Sequence, residues 1–415
     1  MTAPLTGVRV VELTTAWAGP MAGRILAHLG ADVVHVEHAT RTDLWRQHGQ
    51  AIRPRLYPDG DPGARPYNRN ALFNSQNIGK RSLSLDIKAP RGLALMRDLL
   101  ARMDVLLCNF APGALDRAGL GFAGLQAANE QLVVVEMPAY GNEGPSSRAG
   151  AVGMTMEMAS GMAGLTGYAD GPPACTGPHF MDPIGGYNAA AAILTALVKR
   201  RATGRGQRVE VPQVEAAMQF IGAELLGAAE TGCIPARNGN RVAWAAPHDA
   251  YQAAGHDQWV AVAVLDDAAW ARLCTLVGDP ALFDEALRRL PGRLAAADQV
   301  DAALSRWTAR HDKAEAARLL QAAGVAAAPV NDGGDVLGSE FLRAQDFFTE
   351  LTHPEAGTHA YPSVPIHLGR MNPTCCAAPA LGQHTDEVLA ETLGLSPLEL
   401  RRLQMDGITG NEPPT

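Results

Sequence analysis

The segment HFMDPIGGY, residues 179–187, places an acidic side chain directly before a proline and two glycines. Two interpretations of Asp182 follow from these residues. Asp before Pro at the start of an Ala-rich segment is a common helix N-cap, in which the carboxylate accepts backbone N–H groups. Alternatively, the carboxylate is a nucleophile on a tight turn, kept ionised by the helix N-terminus. The local residues do not choose between the two.

A second chemical candidate is the segment TTAWAGP, residues 14–20, which follows the first predicted strand. Its spacing is not G-x-G-x-x-G, so a dinucleotide fingerprint is excluded. The small residues Ala18 and Gly19 would still let an anionic ligand approach a helix N-terminus. Tight packing of a helix on a strand explains the same residues equally well.

The elements that must position these residues alternate along the N-terminal half. Helices are predicted at 18–30, 90–103 and 183–201. Apolar strands are predicted at 7–14, 31–38, 81–87, 104–110 and 131–138. Alternation of apolar strands with helices predicts a parallel sheet with right-handed crossovers, covered by helices on both faces.

The remaining segments are more polar. Residues 39–80 form a long stretch between two strands, and loops of that length are usually functional. Residues 225–245 are predicted as a linker, and 248–264 as a β-hairpin. Helices at 266–277 and 313–322 would complete a smaller α+β domain.

Composition limits the functional classes. The chain has 415 residues, which predicts two or three domains, and a formal net charge of -8 without a basic block, which argues against nucleic-acid binding. The six cysteines form no CxxC pair, so we expect reduced thiols and no metal site. Neither a signal peptide nor an apolar run of about 18 residues is found, so we expect a cytoplasmic protein that does not enter membranes.

Eight segments, spread from about residue 5 to residue 410, form a recognisable series. They are GVRVVELTTAWAGPMAGRILAHLGADVVHVE, GKRSLSLDIK, CNFAPGALDRAGLG, YGNEGP, SGMAGLTGYADGPP, TGRGQRVEV, AAGVAAAPV and APALGQHTDEVL. In this order they resemble the family III coenzyme A transferases, the CaiB/BaiF family. That family includes formyl-CoA:oxalate and carnitine CoA-transferases and α-methylacyl-CoA racemase.

The resemblance implies an architecture. We expect an α/β protein with a Rossmann-like, parallel-sheet large domain formed by the N- and C-terminal segments, and a smaller α+β domain. The predicted limits are 1–224 for the large CoA-binding domain and 225–330 for the small domain with its linkers. Residues 331–415 would then return to the large domain. In the family two subunits interlock like chain links, so a homodimer is expected.

The resemblance also implies a reaction. Asp182 stands where the family has its nucleophilic aspartate. CoA would move from an acyl-CoA thioester to a small carboxylic acid through an aspartyl anhydride and an aspartyl-CoA thioester. Coenzyme A is then a substrate, and no tightly bound cofactor is expected. Gly185 and Gly186 are candidates for donating backbone N–H groups to the oxyanion.

Seven residues correspond to positions that the family uses for the nucleotide end of CoA. They are Trp17, Ala18, His38, Lys80, Arg81, Asn109 and Arg117. The cations Lys80, Arg81 and Arg117 are chemically suited to phosphates, although each also fits a solvated surface charge. The family often has Arg where this chain has His38.

An acyl-CoA racemase or epimerase is the alternative function. Exchange of an α-proton needs a base on each face of the substrate, and the racemases use a His beside the Asp. That position is Val152 here, and His179 and His248 are the candidates to replace it. The glycine run that formyl-CoA transferases have near residue 245 is also missing.

The resemblance assigns part of the acyl site to the Met-rich run at residues 154–165. A buried helix explains the spacing of its methionines equally well. Glu157 is the one charge in the run. Either it faces the substrate and repels a second carboxylate, or it pairs with an arginine.

Overall fold

The computed structural model describes residues 3–46, 53–177, 179–369 and 376–413. The strands are β1 (Arg9–Leu13), β2 (Asp32–Glu37), β3 (Arg81–Ser84), β4 (Val105–Cys108), β5 (Val133–Glu136), β6 (Arg208–Glu210), β7 (His248–Gln252), β8 (Trp259–Ala263), β9 (Ala326–Pro329), β10 (Phe348–His353) and β11 (Gly357–Pro362).

Helices connect and cover these strands. They are α1 (Ala18–His28), α2 (Pro66–Arg69), α3 (Ala71–Gln76), α4 (Pro90–Leu100), α5 (Ala114–Arg117), α6 (Phe122–Ala128), α7 (Gly153–Ala159), α8 (Met162–Leu165), α9 (Met181–Thr203), α10 (Gln213–Met218), α11 (Gly222–Thr231), α12 (Asp267–Val277), α13 (Leu290–Ala295), α14 (Ala297–Thr308), α15 (Lys313–Ala322), α16 (Gly333–Gly338), α17 (Glu340–Ala344), α18 (Thr385–Leu393) and α19 (Pro397–Met405). Within the described ranges, no helix is long and apolar enough to cross a membrane.

The main sheet has six parallel strands in the order β3-β2-β1-β4-β5-β6. The chain first builds outward from β1 through β2 to β3, and then continues on the other side of β1 with β4. Connections on the two sides of such a reversal leave a crevice at the carboxyl ends of the strands, where ligands bind in open α/β sheets. The predicted mixed α/β fold with a parallel sheet is confirmed.

Both faces of this sheet are buried because its strands are apolar on both sides. Successive residues of a strand point to opposite faces, so Val10 joins one core and Val11 the other. The core around Val10 lies between the sheet and helices α1 and α9. The core around Val11 includes Val388 and Leu403, which places the C-terminal helices α18 and α19 against the sheet.

Helices α1 and α9 pack so closely that their backbones meet. A Cβ atom on Gly186 would lie 2.7 Å from the carbonyl oxygen of Ala18 and 2.7 Å from Cβ of Met21. A side chain at this position would separate the helices, because real Cβ contacts are longer than this. The contact places the first turn of α1 beside the second turn of α9.

The chain divides into two compact units. One contains Met1–Met162, Thr176–Leu225 and Arg343–Thr415, and the other contains Ala163–Cys175 and Leu226–Leu342. The predicted domain limits at residues 224 and 330 remain a prediction.

The second unit has its own core. Its antiparallel sheet has the order β7-β8-β9, and helices α12, α14 and α15 cover it around the buried ring of Trp270. The pairing of β7 with β8 confirms the hairpin predicted at 248–264. The first part of the linker predicted at 225–245 is instead helical, because α11 continues to Thr231.

The described part of the long polar stretch between β2 and β3 has more secondary structure than the hydrophobic pattern predicts. It contains α2 and α3, and Asn70 caps α3 by accepting the N–H of Leu72 at 2.9 Å. Arg46 is fully buried in this stretch and pairs with Glu37 at the end of β2, at 2.7 Å. Buried polar pairs hold this segment, and a search for hydrophobic periodicity does not detect them.

Candidate active site

Asp182 lies in the first turn of α9, and its side chain is 19% exposed. Burial raises the pKa of its carboxyl group to about 6. Two neighbours lower this pKa. The His179 ring has its Nδ1 3.8 Å from Oδ2 of Asp182, and the backbone N–H of Gly153 donates to the carboxylate. A perturbed carboxyl group in a desolvated position is typical of a reactive group.

The turn before Asp182 is held by backbone contacts. His179 has a φ of 52°, and its carbonyl oxygen accepts the N–H of Asp182 at 2.9 Å. Gly153 at the start of α7 lies so close that a Cβ on it would be 2.6 Å from Cα of His179. Phe180, and not Asp182, is the N-cap residue of α9. The capping interpretation of Asp182 is therefore wrong, and its carboxylate is left for other contacts.

The two glycines after Asp182 serve packing. Gly185 and Gly186 are buried in the second turn of α9, where backbone N–H groups bond to carbonyl oxygens four residues earlier. A Cβ on Gly185 would lie 2.4 Å from Oε1 of Gln213. Since these N–H groups belong to the body of the helix, the predicted oxyanion role of both glycines is not supported.

A pocket of about 790 Å³ opens at the carboxyl ends of β1, β2 and β4, where the strand order reverses. Its polar and aromatic lining includes Thr15, His38, Arg41, Asp43, Lys88, Phe110 and Arg117. Two of the residues predicted for CoA, His38 and Arg117, thus lie at one pocket. It is the position at which open parallel sheets bind nucleotides.

The cations at this pocket are Arg41, Lys88 and Arg117, all with exposed side chains. Arg117 donates one N–H to the carbonyl oxygen of Pro112 at 3.1 Å, and Arg41 pairs with Asp86. Sequence reasoning missed Arg41 and Lys88. The signal that could have found them is their position, since each closely follows the carboxyl end of a strand next to β1 or β2.

His38 lines the pocket as an uncharged ring. Its Nδ1 lies 2.8 Å from Oγ1 of Thr40, and its Nε2 lies 3.2 Å from the carbonyl oxygen of Gly407. Burial lowers the pKa of His38, so at neutral pH it carries no charge for a phosphate. It offers a surface for a ligand, whereas the arginine common in the family would offer a cation.

Lys80 is buried directly before β3, and it does not line the pocket. Its ammonium group donates to Glu12, to the carbonyl oxygen of Pro20 at 2.8 Å and to Oδ1 of Asn77 at 2.9 Å. Although burial alone would raise the pKa of Glu12, Lys80 and His35 lower it to about 2. Because Lys80 already donates to three acceptors, it can bind a phosphate only by losing one of these hydrogen bonds.

Arg81 is held by carboxylates at the edge of the sheet. Its Nε donates to Asp32 at 2.9 Å, and its Nη1 donates to Glu387 at 3.1 Å and to Glu391 at 3.0 Å. This side chain connects β2 and β3 to α18, and it does not line the pocket. The sequence could not separate this structural arginine from a phosphate ligand.

The remaining predicted residues shape the turn between β1 and α1, residues 14–17. Asn109 accepts the N–H of Thr15 at 3.0 Å and donates to its carbonyl oxygen at 2.9 Å. The ring of Trp17 lies 5.5 Å from that of Trp45, and Ala18 is buried at the start of α1. This turn connects the pocket with helix α9. Thr15 lines the pocket, and Ala18, which directly follows the turn, lies against the helix that carries Asp182.

Comparison with known proteins decides the family. The model of CoA-transferase family III matches residues 5–385. The chain belongs to CoA-transferase family III. Formyl-CoA:oxalate CoA-transferase of Streptomyces avermitilis is 31% identical to it over 98% of this chain and 100% of its own length. The enzyme of the same name from Streptomyces coelicolor is 30% identical over 97% of this chain and 98% of its own length.

A solved structure agrees. A CaiB/BaiF family protein from Brucella suis is 28% identical and superimposes with a TM-score of 0.84, covering 94% of this chain and 100% of that one. The resemblance inferred from eight sequence segments is therefore confirmed, and the protein is a family III CoA-transferase. Among the described residues, no cluster of three or more His, Cys, Asp or Glu side chains could hold a metal ion.

The pH dependence of the family III enzyme should report the Asp182 carboxyl group. Only the ionised form is nucleophilic, so kcat/KM should fall as the pH decreases through about 6. His179→Asn, which retains a residue tolerant of positive φ, removes the charge that lowers this pKa. Its inflection should lie at a higher pH than that of the wild type. An inflection near the ordinary aspartate value of about 4 in the wild type would contradict this assignment.

Lys80 and Lys88 provide a matched test of structural and ligand-binding roles. Lys80→Met leaves Glu12 buried without its cation, so the free energy of unfolding in urea should fall by about 3–5 kcal/mol. Lys88→Met, at the exposed pocket, should leave stability within about 0.5 kcal/mol and raise KM for the CoA thioester. Unchanged stability with a raised KM for Lys80→Met would instead restore its predicted contact with CoA.

Proposed function

We propose that this enzyme transfers coenzyme A from an acyl-CoA thioester to a free carboxylic acid, with Asp182 as the nucleophile. The observation that carries the proposal is the Asp182 carboxyl group itself. It is largely buried at the head of α9, has a pKa raised to about 6, and accepts a hydrogen bond from the fixed N–H of Gly153. It is therefore desolvated and oriented, yet ionised at neutral pH.

In the proposed first half-reaction, a carboxylate oxygen of Asp182 attacks the thioester carbonyl carbon. The carbon–sulfur bond breaks, CoA leaves as the thiolate, and a mixed anhydride remains on the enzyme. The thiolate then attacks the Asp182 carbonyl carbon, which releases the first acid as its carboxylate and leaves an aspartyl-CoA thioester. A second carboxylate runs the same steps in reverse.

This sequence of steps conserves the energy of the thioester. An anhydride is at least as activated as a thioester, so the acyl group is never lost to a more stable product unless water enters. One difficult displacement becomes several easier ones. Because a carboxylate is a weak nucleophile, the rate depends on holding Asp182 near the carbonyl carbon and on excluding water.

For the nucleotide end of CoA we propose the pocket at the carboxyl ends of β1, β2 and β4. Arg41, Lys88 and Arg117 supply positive charge there, and Phe110 supplies an aromatic face. From this pocket the turn at residues 14–17 leads toward α9, so the pantetheine arm would pass Trp17 and Ala18. Lys80 and Arg81 are assigned to the scaffold, because carboxylates already hold them.

The racemase alternative is not favoured. A racemase needs two bases on opposite faces of the α-carbon. Val152 has no titratable group, and His179 lies 3.8 Å from Asp182 itself. Two groups that close to one another leave no room for a substrate carbon between them.

Asp182→Ala should abolish transfer, because the carboxylate proposed to form the anhydride is removed. Asp182→Asn should keep the fold and CoA affinity but lose turnover. The measurement is passage of label from the CoA of formyl-, succinyl- or butyryl-CoA to a free acid, starting with oxalate, the acceptor named for the relatives. Hydroxylamine trapping of the acyl-enzyme supports it, and deuterium exchange at the α-carbon reports racemisation. Substantial transfer by Asp182→Ala would refute the nucleophile assignment.

We also propose that the enzyme is an interlocked homodimer, with a large domain from residues 1–224 and 331–415 and a small domain from 225–330. Helix α11 has no buried residue, and large apolar side chains around it and around α16 and α17 are exposed. They are Phe220, Leu225, Leu226, Ile234, Leu337 and Phe341. Apolar exposure of this extent is typical of a surface that a partner covers.

Sedimentation at micromolar concentration should therefore show a dimer. We expect its interface to bury more than about 2,000 Å². Ile234→Lys, at a side chain that is 84% exposed, should weaken the dimer. Met405→Lys, at an equally exposed position on α19, is the matched control and should not. A folded and active monomer would contradict the proposal.

A further inference from the structure

Helix α7, which begins the Met-rich run, has one exposed face and one buried face. Met154 and Met158 are 38% and 56% exposed, whereas Gly153, Met156 and Glu157 are buried. The carboxyl group of Glu157 thus lies in the protein, with its residue 0% exposed. A buried charge is costly unless hydrogen bonds compensate it, so its contacts require an explanation.

Glu157 has one strong contact. Its Oε1 accepts the backbone N–H of Thr176 at 2.6 Å. Its Oε2 is buried and has no hydrogen-bond partner among the described residues. The hydrogen bond is to the main chain, so this geometry does not fit the predicted pairing with an arginine. The alternative that Glu157 faces the substrate stays a prediction.

The Thr176 contact lies on the path to the nucleophile. Thr176 is where the chain re-enters the unit that carries Asp182, six residues before it. The end of this short segment is fixed by Gly153, which packs against His179 and donates its N–H to Asp182. Glu157 fixes its beginning.

Both anchors belong to the same face of α7. Gly153 and Glu157 are four residues apart, which places them one above the other on a helix, and side chains tilt toward the helix N-terminus. The carboxyl group of Glu157 is therefore directed back toward the end of α7 that meets Asp182. One rigid helical turn sets the positions of both ends of the segment from 176 to 182.

We propose that Glu157 is a positioning residue, which fixes the placement of Asp182 against the thioester carbonyl carbon by holding the N–H of Thr176. The proposal rests on the nucleophilic role proposed for Asp182. Loss of this hydrogen bond frees the first part of the segment, and a misplacement of about 1 Å at a reacting group can cost on the order of 100-fold in rate. The nucleotide pocket is built from other elements, so affinity for CoA should not change.

Three variants of α7 test the proposal. Glu157→Leu keeps the volume but removes the acceptor, Glu157→Gln keeps an oxygen for Thr176, and Ser160→Ala alters the same buried face without touching Thr176. The donor and acid pair that the wild type transfers fastest in the panel above is used. Titration with CoA counts the folded sites, so kcat is expressed per CoA-binding site and a folding defect does not lower it.

Glu157→Leu should lower kcat by about 10- to 100-fold with little change in KM for the donor. Glu157→Gln and Ser160→Ala should stay near the wild-type rate. Wild-type kcat in Glu157→Leu, or an equal loss in Glu157→Gln, would overturn the positioning role while leaving the transferase function intact. A wild type that transfers no label would overturn both proposals.

Discussion

The ion pair between Glu12 and Lys80 connects the elements on which the rest of the site depends. It lies in the interior between β1 and the start of β3, and Lys80 also donates to the carbonyl oxygen of Pro20 in the first turn of α1. Helix α1 passes so close that a Cβ on Gly23 would lie 1.7 Å from Oε2 of Glu12. The pair therefore fixes where α1 begins, and with it the turn at residues 14–17. Because Ala18 lies against α9, the pair also influences the position of Asp182.

The contrast between Glu12 and Asp182 shows how this fold separates a structural carboxylate from a reactive one. Both are largely or fully buried, and burial alone raises the pKa of each. Lys80 and His35 reverse this for Glu12, whose pKa falls to about 2, so it stays ionised and paired with Lys80. Asp182 has only His179 and one backbone N–H, and its pKa remains near 6. Incomplete compensation is what leaves Asp182 able to form a new bond.

Apolar runs sufficed to predict the parallel strands, because burial of both faces of the main sheet leaves its strands apolar throughout. Such runs could not predict the direction of a charged side chain, so Lys80 and Arg81 were assigned to CoA although carboxylates hold them. The predicted oxyanion role of Gly185 and Gly186 also lacks structural support. The helix begins at Met181, before Pro183, and the glycines are inside it. Contacts such as that of Glu157 with Thr176 join residues through a main-chain N–H, which leaves no mark on side-chain patterns.

Under the proposed function, different parts of a CoA thioester meet different kinds of surface. Every donor and product carries the same nucleotide, so a preformed pocket with exposed cations at the sheet edge can serve all of them. The acyl group differs between substrates, and it would meet the segment around Asp182, which is placed by α7 and by backbone contacts of Gly153 and His179. If Asp182 is the nucleophile as proposed, changes on α7 alter its position and the choice of acid without weakening the binding of CoA.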